Sequence, residues 1–382
     1  MSRSLLFTII FSSSFSQPLL ADEPPSRFGT VVETHNGAKV ESGMTATVQH
    51  ATDNAIKDEA LASFDLVSSI PYGAGEWFIY VEGNTSPKSN GVASILGEAN
   101  ADAGSALDRD GKGRFQVSEF YYSYPVNGNP LNIGLLDPAG VLDASDVAND
   151  ETTQFLGASF VNNPTIAMPH YTLGASYQRE AKDRQPGYSL LVTGSHGLAD
   201  NPDASYSQLV DVSAEGQGVF LGGEAHWLLA QSIWRVGAWV NSAEFDYLDG
   251  SGNTGDNYGV YLSTDYTLGE RYKVNLRAGL ANSDVSKAAN FIGLALETRF
   301  TGRTTGIGIA RTGVSSKAAA GLDDTLQAEV YMRFEVNEQF QLTPSVQWIE
   351  NSGFMNTVAG AGADPYKHDA GVVSLRLNYV FL

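Results

Sequence analysis

Apolar and polar residues alternate with a period of two along the C-terminal part of the chain. In Leu326–Glu335 every even-numbered residue is apolar, and the odd-numbered residues are Gln, Glu, Tyr, Arg and Glu. Two further segments, Phe340–Trp348 and Val373–Phe381, alternate in the same way. Successive side chains of a β-strand point to opposite faces, so each segment predicts a strand with one apolar face and one polar face. Strands of about ten residues with this pattern are typical of transmembrane β-barrels.

The same alternation, interrupted by turn residues, recurs through the rest of the chain and predicts about sixteen strands. The other thirteen are Met44–Ala51, Leu61–Ile70, Gly75–Gly83, Arg114–Tyr124, Pro130–Leu136, Tyr171–Glu180, Tyr188–His196, Gly218–Leu228, Ile233–Glu244, Tyr258–Leu268, Arg271–Asn282, Asn290–Phe300 and Thr304–Gly313. An even strand number, with short turns alternating with long loops, predicts one all-β domain: a transmembrane antiparallel β-barrel. Barrels of roughly 16–18 strands leave an aqueous channel.

Two connections are unusually long, and we expect them to fold inward. Residues 84–112 have weak helical character around Val92–Ala99, and in residues 137–169 Asp146 is expected to cap a short helix that runs through Glu151 towards Phe160. Loops of this length in a compact protein are usually functional. Between the strands at Arg114–Tyr124 and Pro130–Leu136, Asn127-Gly128-Asn129 predicts a tight hairpin turn.

The first residues resemble an export signal. Arg3 supplies a positive charge, Leu5–Phe15 an apolar core, and Leu19-Leu20-Ala21 a cleavage site. We therefore expect residues 1–21 to be removed and residues 22–382 to form a single outer-membrane domain. The apolar core is shorter than the roughly 20 residues that a membrane-spanning helix needs, and no later segment is apolar for that long. A membrane protein of this sequence must therefore span the bilayer with strands.

Composition narrows the possible functions. The chain has no cysteine, which excludes a disulfide-stapled secreted domain. A formal charge of −20 excludes a generic nucleic-acid binder. Most of the acidic residues lie in turn-like segments, where they act as solvated loop charges; the alternative is a cation-attracting vestibule or a divalent-bridged contact with the anionic headgroups of outer-membrane lipid or lipopolysaccharide.

Two regions resemble the carbohydrate-selective porins of the OprB type. One starts at Leu131–Pro138, continues through Asp143, Asp146, Asn149, Asp150, Glu151 and Phe155, and ends at Asn162–Ile166; the other comprises Glu329–Phe334 and Leu342–Gln347. The resemblance implies a sixteen-stranded channel of the bacterial outer membrane for passive sugar uptake. It also implies loops folded into the lumen and charged residues at the narrowest point.

Assigning the apolar face of each strand to lipid leaves a set of candidate pore-lining residues on the other face. They are Glu224, Arg235, Trp239, Lys273, Arg277, Glu297, Glu329, Tyr331, Arg333 and Arg376. Arginines and carboxylates facing a pore offer donors and acceptors to a polyhydroxylated solute, and we expect Tyr331 and Trp239 to offer ring faces to a sugar. Arg333 with Glu329 is the preferred pair because they share one face of one strand. The alternative is that such charges keep the lumen-facing wall hydrated and pair with charged residues on neighbouring strands.

Two local motifs raise other functions: a calcium site and a hydrolase. The segment Asp108–Glu119 matches an EF-hand calcium loop at several positions, but Lys112 stands where an oxygen ligand is needed, so a turn entering a strand is the favoured interpretation. Ser195 and His196 are adjacent in a predicted strand, which points them to opposite faces and excludes a nucleophile–base pair. Six scattered histidines give no metal spacing. We therefore predict no enzyme activity, metal or cofactor.

The sequence predicts an outer-membrane porin for passive diffusion of small hydrophilic solutes, with carbohydrates as the favoured class. One alternative is a general or cation-preferring porin on the same barrel. A second is a scaffold or adhesin whose lumen is plugged by the two long loops. The oligomeric state stays open, with a homo-oligomer as one option.

Overall fold

The structure is a computed structural model that describes residues 31–34, 36–182, 185–201, 203–210, 217–318, 322–353 and 366–381. The predicted export signal at 1–21 lies outside the described residues. Within them, a short strand β1 (Val32–Glu33) pairs with the start of the next strand, and sixteen longer strands follow. These are β2 (Lys39–Ala51), β3 (Glu59–Tyr72), β4 (Gly75–Asn84), β5 (Phe115–Val126), β6 (Asn129–Leu136), β7 (Thr172–Arg179), β8 (Gly187–Gly194), β9 (Val219–Leu229), β10 (Ser232–Asp246), β11 (Thr254–Leu268), β12 (Tyr272–Ala281), β13 (Ala288–Phe300), β14 (Arg303–Val314), β15 (Thr325–Glu335), β16 (Phe340–Ser352) and β17 (Tyr366–Val380).

The sixteen strands close into an antiparallel barrel. Each strand from β2 to β17 pairs with its neighbours in sequence, and β17 pairs back with β2 from Val372 opposite Ala51 to Val380 opposite Gly43. Closure matters because a closed sheet leaves no unpaired strand edge in the bilayer. The predicted all-β barrel of about sixteen strands is confirmed.

Strand ends differ from the predicted ones. β2 begins at Lys39 instead of Met44, and β17 begins at Tyr366 instead of Val373. In these two strands ladder pairing continues into residues whose side chains no longer alternate between apolar and polar, so the pattern underestimates their length. By contrast, β7 and β12 are each two residues shorter than predicted. The Asn127-Gly128 turn is confirmed: the φ angles of its residues are 52° and 80°, as in a two-residue hairpin turn of the primed type.

The two faces of the wall are chemically distinct. In β15 the Val330 side chain is 49% exposed on the outer face, whereas Glu329 beside it is 1% exposed and points into the barrel. The outer face carries exposed aliphatic residues at mid-strand, including Val48, Ile133, Val192, Val236, Val260, Ile292, Ile307, Val346 and Val373. Exposed aromatic residues mark the strand ends that meet the short connections: Tyr72, Tyr124, Tyr266, Tyr272, Phe300, Phe334 and Tyr379. An apolar band bordered by aromatic residues is the surface of a membrane barrel.

Two helices of one turn each lie in the long connections: α1 (Val92–Ile95) and α2 (Ala158–Val161). Short 3₁₀ turns occur at Gly97–Ala99, Ala101–Ala103, Pro138–Gly140 and Tyr206–Val210. The expected helical character near Val92–Ala99 is confirmed. No helix within the described residues is long and apolar enough to cross a membrane.

The expected helix capped by Asp146 is wrong. Asp150 instead accepts hydrogen bonds from the Thr152 amide (2.8 Å) and the Thr153 amide (3.3 Å). The Gln154 amide also donates to the Asp150 carbonyl (2.8 Å), so Asp150 caps a single turn that does not continue as a helix. The helix α2 starts only at Ala158, with Gly157 as its N-cap.

Adding a charge to the outer face should destabilise the barrel. For Val330→Arg we expect a loss of about 2–4 kcal/mol in unfolding free energy, the usual effect of Arg at the bilayer midplane. Urea unfolding of the protein in lipid vesicles, followed by heat-modifiable gel migration, measures this loss. Val336→Arg, in the turn after β15, is the control and should be nearly neutral; equal losses at both positions would contradict the assignment of faces.

Candidate functional site

Two connections fold into the barrel: the first inward loop (residues 85–114) and the second inward loop (residues 137–171). In the first, Val92 and Leu96 are buried against the wall residues Ile349 and Val372. In the second, Phe155 and Phe160 are buried in one cluster with Phe291 and Tyr331 of the wall. A hydrogen bond from the Ala101 amide to the Leu156 carbonyl (2.9 Å) joins the two loops. The loops therefore occupy much of the lumen as one packed unit.

Wall side chains hold the N-terminal end of α2. The Glu329 carboxylate accepts hydrogen bonds from the Leu156 amide (3.0 Å) and the Gly157 amide (2.8 Å). Gln327, two residues earlier on β15, accepts from the Ser159 amide (3.3 Å). Amides before and within the first turn of a helix have no partners inside the helix, and a carboxylate also favours the positive end of the helix dipole.

Arg277 of β12 holds the other end of α2. Its guanidinium donates to the Phe160 carbonyl (3.0 Å), the Val161 carbonyl (3.2 Å), the Asp143 carbonyl (2.7 Å) and the Asn149 side-chain oxygen (2.7 Å). It also forms an ion pair with the Asp143 carboxylate (3.3 Å). Since Arg277 is 2% exposed, these loop groups replace its hydration almost completely.

Two more arginines bind the backbone of the second inward loop. Arg376 of β17 donates to the carbonyls of Glu151 (2.5 Å) and Gln154 (2.6 Å). Arg333 of β15 donates to the Thr153 carbonyl (2.5 Å). Carbonyl groups that would be orphaned inside the barrel are therefore paired by cations from the wall.

A buried carboxylate pair anchors the start of the second inward loop. Glu224 of β9 accepts from the Asp143 amide (3.0 Å) and from the Tyr261 hydroxyl (2.9 Å). Burial raises the pKa of Asp143 to about 6, although the Arg277 guanidinium acts in the opposite direction. This loop carboxyl therefore titrates near neutral pH.

Three glutamines hold the first inward loop, and the sequence analysis missed all of them. The side-chain amides of Gln49 and Gln347 donate to the Ala99 carbonyl (3.3 and 2.9 Å), and that of Gln327 donates to the Glu98 carbonyl (2.7 Å). All three lie at inward positions of the alternating strands, and that position was a usable signal. The ten predicted pore-lining residues include only charged and aromatic side chains.

Inward-facing glycines let the second inward loop approach the wall. A Cβ on Gly279 would lie 2.0 Å from the Thr165 hydroxyl oxygen, and one on Gly308 would lie 2.6 Å from the Phe160 ring. The absence of side chains at these two positions creates the space in which the loop packs.

The remaining candidate residues also face inward. Arg235 pairs with Asp265 on the next strand (2.8 Å), and Lys273 pairs with Asp146 of the second inward loop (3.3 Å). Glu297 accepts from Arg299 on its own strand (2.8 Å) and from the Tyr331 hydroxyl (3.2 Å). Trp239 stacks on Phe220 with ring centroids 6.1 Å apart.

The structure thus brings the ten candidates together as supports of the second inward loop or as partners of neighbouring wall residues. Glu329 and Arg333, expected to present charges side by side, both bind the backbone of residues 153–157. Tyr331 and Trp239 are 1% and 4% exposed, so loop and wall side chains cover the rings that were expected to meet a sugar. A direct pore-lining role for the ten residues stays a prediction.

Polar groups of the second inward loop remain accessible. Asp146 is exposed, and Asn149, Asp150, Glu151 and Gln154 are partly exposed. We call residues 146–154 the lip. Its acidic and amide side chains lie beside the backbone carbonyls that the wall arginines hold.

The EF-hand-like segment forms a turn and a strand. Asp108 accepts hydrogen bonds from the amides of Asp110 and Lys112 (2.9 Å each), and these contacts lower its pKa. Glu119 lies inside β5 and binds the Asp137 amide (3.2 Å). In the part of the chain that the structure describes, no group of three or more His, Cys, Asp or Glu side chains is placed to hold a metal ion.

The expectation that Ser195 and His196 point apart is wrong. β8 ends at Gly194, so both residues lie beyond the strand, and the Ser195 hydroxyl is 2.9 Å from the His196 Nδ1 atom. The serine hydroxyl also accepts from the Gly218 amide (2.8 Å) and is 5% exposed. The bond from the Gly218 amide ties the end of β8 to the start of β9, and Ser195 is buried there.

The sequence model of the OprB family, described as a carbohydrate-selective porin, matches residues 138–381. This chain belongs to the OprB family. The barrel is accordingly a porin, a channel of the bacterial outer membrane.

Solved structures show the same fold. The high-pH structure of Pseudomonas putida OprB has a TM-score of 0.70 and 13% identity, covering 91% of this chain and 94% of that one. A mutant of the Rh. blastica porin has a TM-score of 0.52 and 13% identity, covering 90% of this chain and all of that one. An uncharacterized protein of Aquifex aeolicus (strain VF5) is 33% identical over 84 residues, which span 21% of this chain and 27% of that relative.

Removing the hydrogen bonds between Glu329 and the start of α2 should release the lip. Glu329→Ala deletes two hydrogen bonds from loop amides, each worth about 0.5–1.5 kcal/mol, so we expect larger and noisier single-channel conductance than in the wild type. Glu335→Ala, at the exposed end of the same strand, is the matched control. Unchanged conductance in Glu329→Ala would show that the hydrogen bonds to Glu329 do not position the lip.

Docking of the second inward loop should depend on pH. Because burial raises the pKa of Asp143 from 3.8 to about 6, the docked loop binds a proton more tightly than the released loop. Docking is therefore favoured as pH falls through 6 and is weakest above it, so current fluctuations should be larger at about pH 7.5 than at about pH 5. Asp143→Asn should reduce this difference, whereas Asp146→Asn, at the exposed lip, should keep it.

Proposed function

We propose that this chain is an outer-membrane porin through which small sugars diffuse passively down their concentration gradients. The observation that carries the proposal is the lip: a loop held inside a sixteen-stranded barrel that presents carboxylate and amide groups at 146–154. Such groups accept and donate hydrogen bonds to neutral hydroxyls without requiring a net charge on the solute. The solute must be bound weakly and at several places in order to leave, which a lip of short polar side chains provides. The OprB family match supports the choice of sugar.

A second candidate, a cation-preferring porin, is supported by the distribution of charge. Arg277 and Arg376 are each 2% exposed and donate to loop groups, whereas the Asp146 side chain is 43% exposed. With a formal charge of −20 on the whole chain, the accessible groups are mainly acidic. Fixed acidic charge near a constriction raises the local concentration of cations.

Three further parts of the proposal concern processing and partners. Residues 1–21 act as a removable export signal, and residues 22–382 form the mature domain. The barrel contacts outer-membrane lipid and lipopolysaccharide, and its acidic loops are solvated. The outer apolar surface that includes Trp77, Ile79 and Leu173 contacts either lipid or another subunit.

Liposome swelling tests the proposed function. In vesicles containing the purified protein we expect glucose to enter faster than an uncharged amino acid of similar size, and a disaccharide to enter more slowly. Arg333→Ala should reduce the preference for glucose, because it releases the Thr153 carbonyl and disorders the lip.

The other outcomes separate the alternatives. Rates that follow solute size alone, together with a reversal potential that favours potassium over chloride, would indicate a cation-preferring porin. No swelling with any solute would indicate a plugged scaffold, in which case the porin proposal fails.

A further inference from the structure

Strands β4 and β5 carry two stacked aromatic pairs that face opposite ways. Trp77 and Phe120 stack with ring centroids 5.0 Å apart and an interplanar angle of 7°. Phe78 and Tyr121, which are partners in the ladder, stack at 4.8 Å and 19°. Two pairs so close in sequence and so alike in geometry allow a direct comparison of the two faces of the wall.

The Phe78–Tyr121 pair faces the lumen. Phe78 alternates with Tyr80 and Glu82, which are buried inside the barrel: the Tyr80 hydroxyl donates to Asp65, and Glu82 accepts from Ser118. Trp77, by contrast, lines an apolar groove on the outer face together with Ile79, Phe120, Ile133 and Leu173.

The inward pair stays partly exposed beside the second inward loop. Tyr121 packs against the buried cluster that contains Val141 and Leu142 of this loop. Phe78 packs against the cluster that contains Tyr80. Both rings pack against these clusters and against each other and stay partly exposed, whereas the inward rings of Tyr331 and Trp239 are buried.

Two carboxylates flank the rings. Glu76 and Glu119 are inward and partly exposed, and both act electrostatically on the Tyr121 hydroxyl. The ladder shifts by one residue between Tyr80 and Val81, so that Ser118 is extra and both Ser118 and Glu119 face inward. Glu119 also accepts from the Asp137 amide (3.2 Å), which ties this wall to the start of the second inward loop.

We propose that Phe78 and Tyr121 form a platform for the apolar C–H face of a pyranose, with Glu76 and Glu119 accepting hydrogen bonds from its hydroxyls. This inference rests on the proposed function and names the part of the wall that a sugar contacts. A pyranose has an apolar face and an equatorial rim of hydroxyls, so a ring platform bordered by acceptors matches it. Hydrogen bonds from hydroxyls to ionised carboxylates are short and strong, which distinguishes a sugar from an apolar solute.

The test compares glucose with sorbitol, which has the same number of carbon atoms but no pyranose face. In swelling assays on vesicles containing the full chain, wild type should admit glucose faster than sorbitol. Tyr121→Leu and Phe78→Leu should lower the glucose-to-sorbitol rate ratio roughly threefold, a factor typical of losing one aromatic contact. Tyr121→Phe keeps the ring and should keep most of the ratio.

Phe120→Leu is the matched control, since it disrupts the outward pair on the same two strands. It should leave the ratio unchanged. Heat-modifiable gel migration establishes that each variant is folded before its rates are compared, and Tyr121→Phe provides a conservative variant if either leucine variant fails to fold.

Different outcomes would contradict the platform proposal and the porin proposal. Equal ratios in Tyr121→Leu, Phe120→Leu and wild type would overturn the platform and leave the porin intact. If wild type admits glucose and sorbitol at equal rates, the platform proposal is also overturned and the porin proposal remains. If wild type admits no sugar at all, the proposed function itself is overturned, and the platform with it.

Discussion

Peptide groups buried inside the barrel must be hydrogen-bonded, and the architecture of the lumen depends on how that requirement is met. The second inward loop pairs only part of its own amides and carbonyls, and the wall supplies partners for others: Glu329 for amides, and Arg277, Arg333 and Arg376 for carbonyls. An orphaned buried backbone group costs about as much as a lost hydrogen bond. The wall charges therefore hold the loop in place, and the loop in turn determines the shape of the passage.

This arrangement changes which charges a solute meets. Arginines that point into a barrel would ordinarily create a positive wall, but Arg277 and Arg376 are covered by the segment they bind. Accessible groups include those of the lip and of the wall of β4 and β5, where aromatic rings and carboxylates lie side by side. Sugar passage and cation preference are therefore compatible features of one lumen, because both depend on accessible oxygen acceptors.

Features that depend on neighbours in sequence were predictable, and features that depend on loop placement were not. Alternation identified all ten candidates as inward residues, and Asn127-Gly128 marked its turn. In place of the helix expected after Asp146 there is a single turn capped by Asp150, and the helix starts at Ala158, a position that residue propensity does not reveal. Ser195 and His196 meet because β8 ends at Gly194, and strand ends are where a period-two pattern is weakest. Gln49, Gln327 and Gln347 carry no distinguishing pattern beyond their inward positions.

Strand number, the lipid-facing and lumen-facing sides of each strand, and membership of a closed barrel follow from the sequence alone. Alternation is a local property, and a bilayer permits few ways to satisfy a backbone. Which inward residues are covered and which stay accessible was decided by the tertiary structure. Tyr331 and Tyr121 both occupy inward positions of amphipathic strands, yet one is buried under the second inward loop and the other lies beside it. That difference arises from contacts between segments more than a hundred residues apart, such as Glu329 with Gly157, which no local pattern encodes.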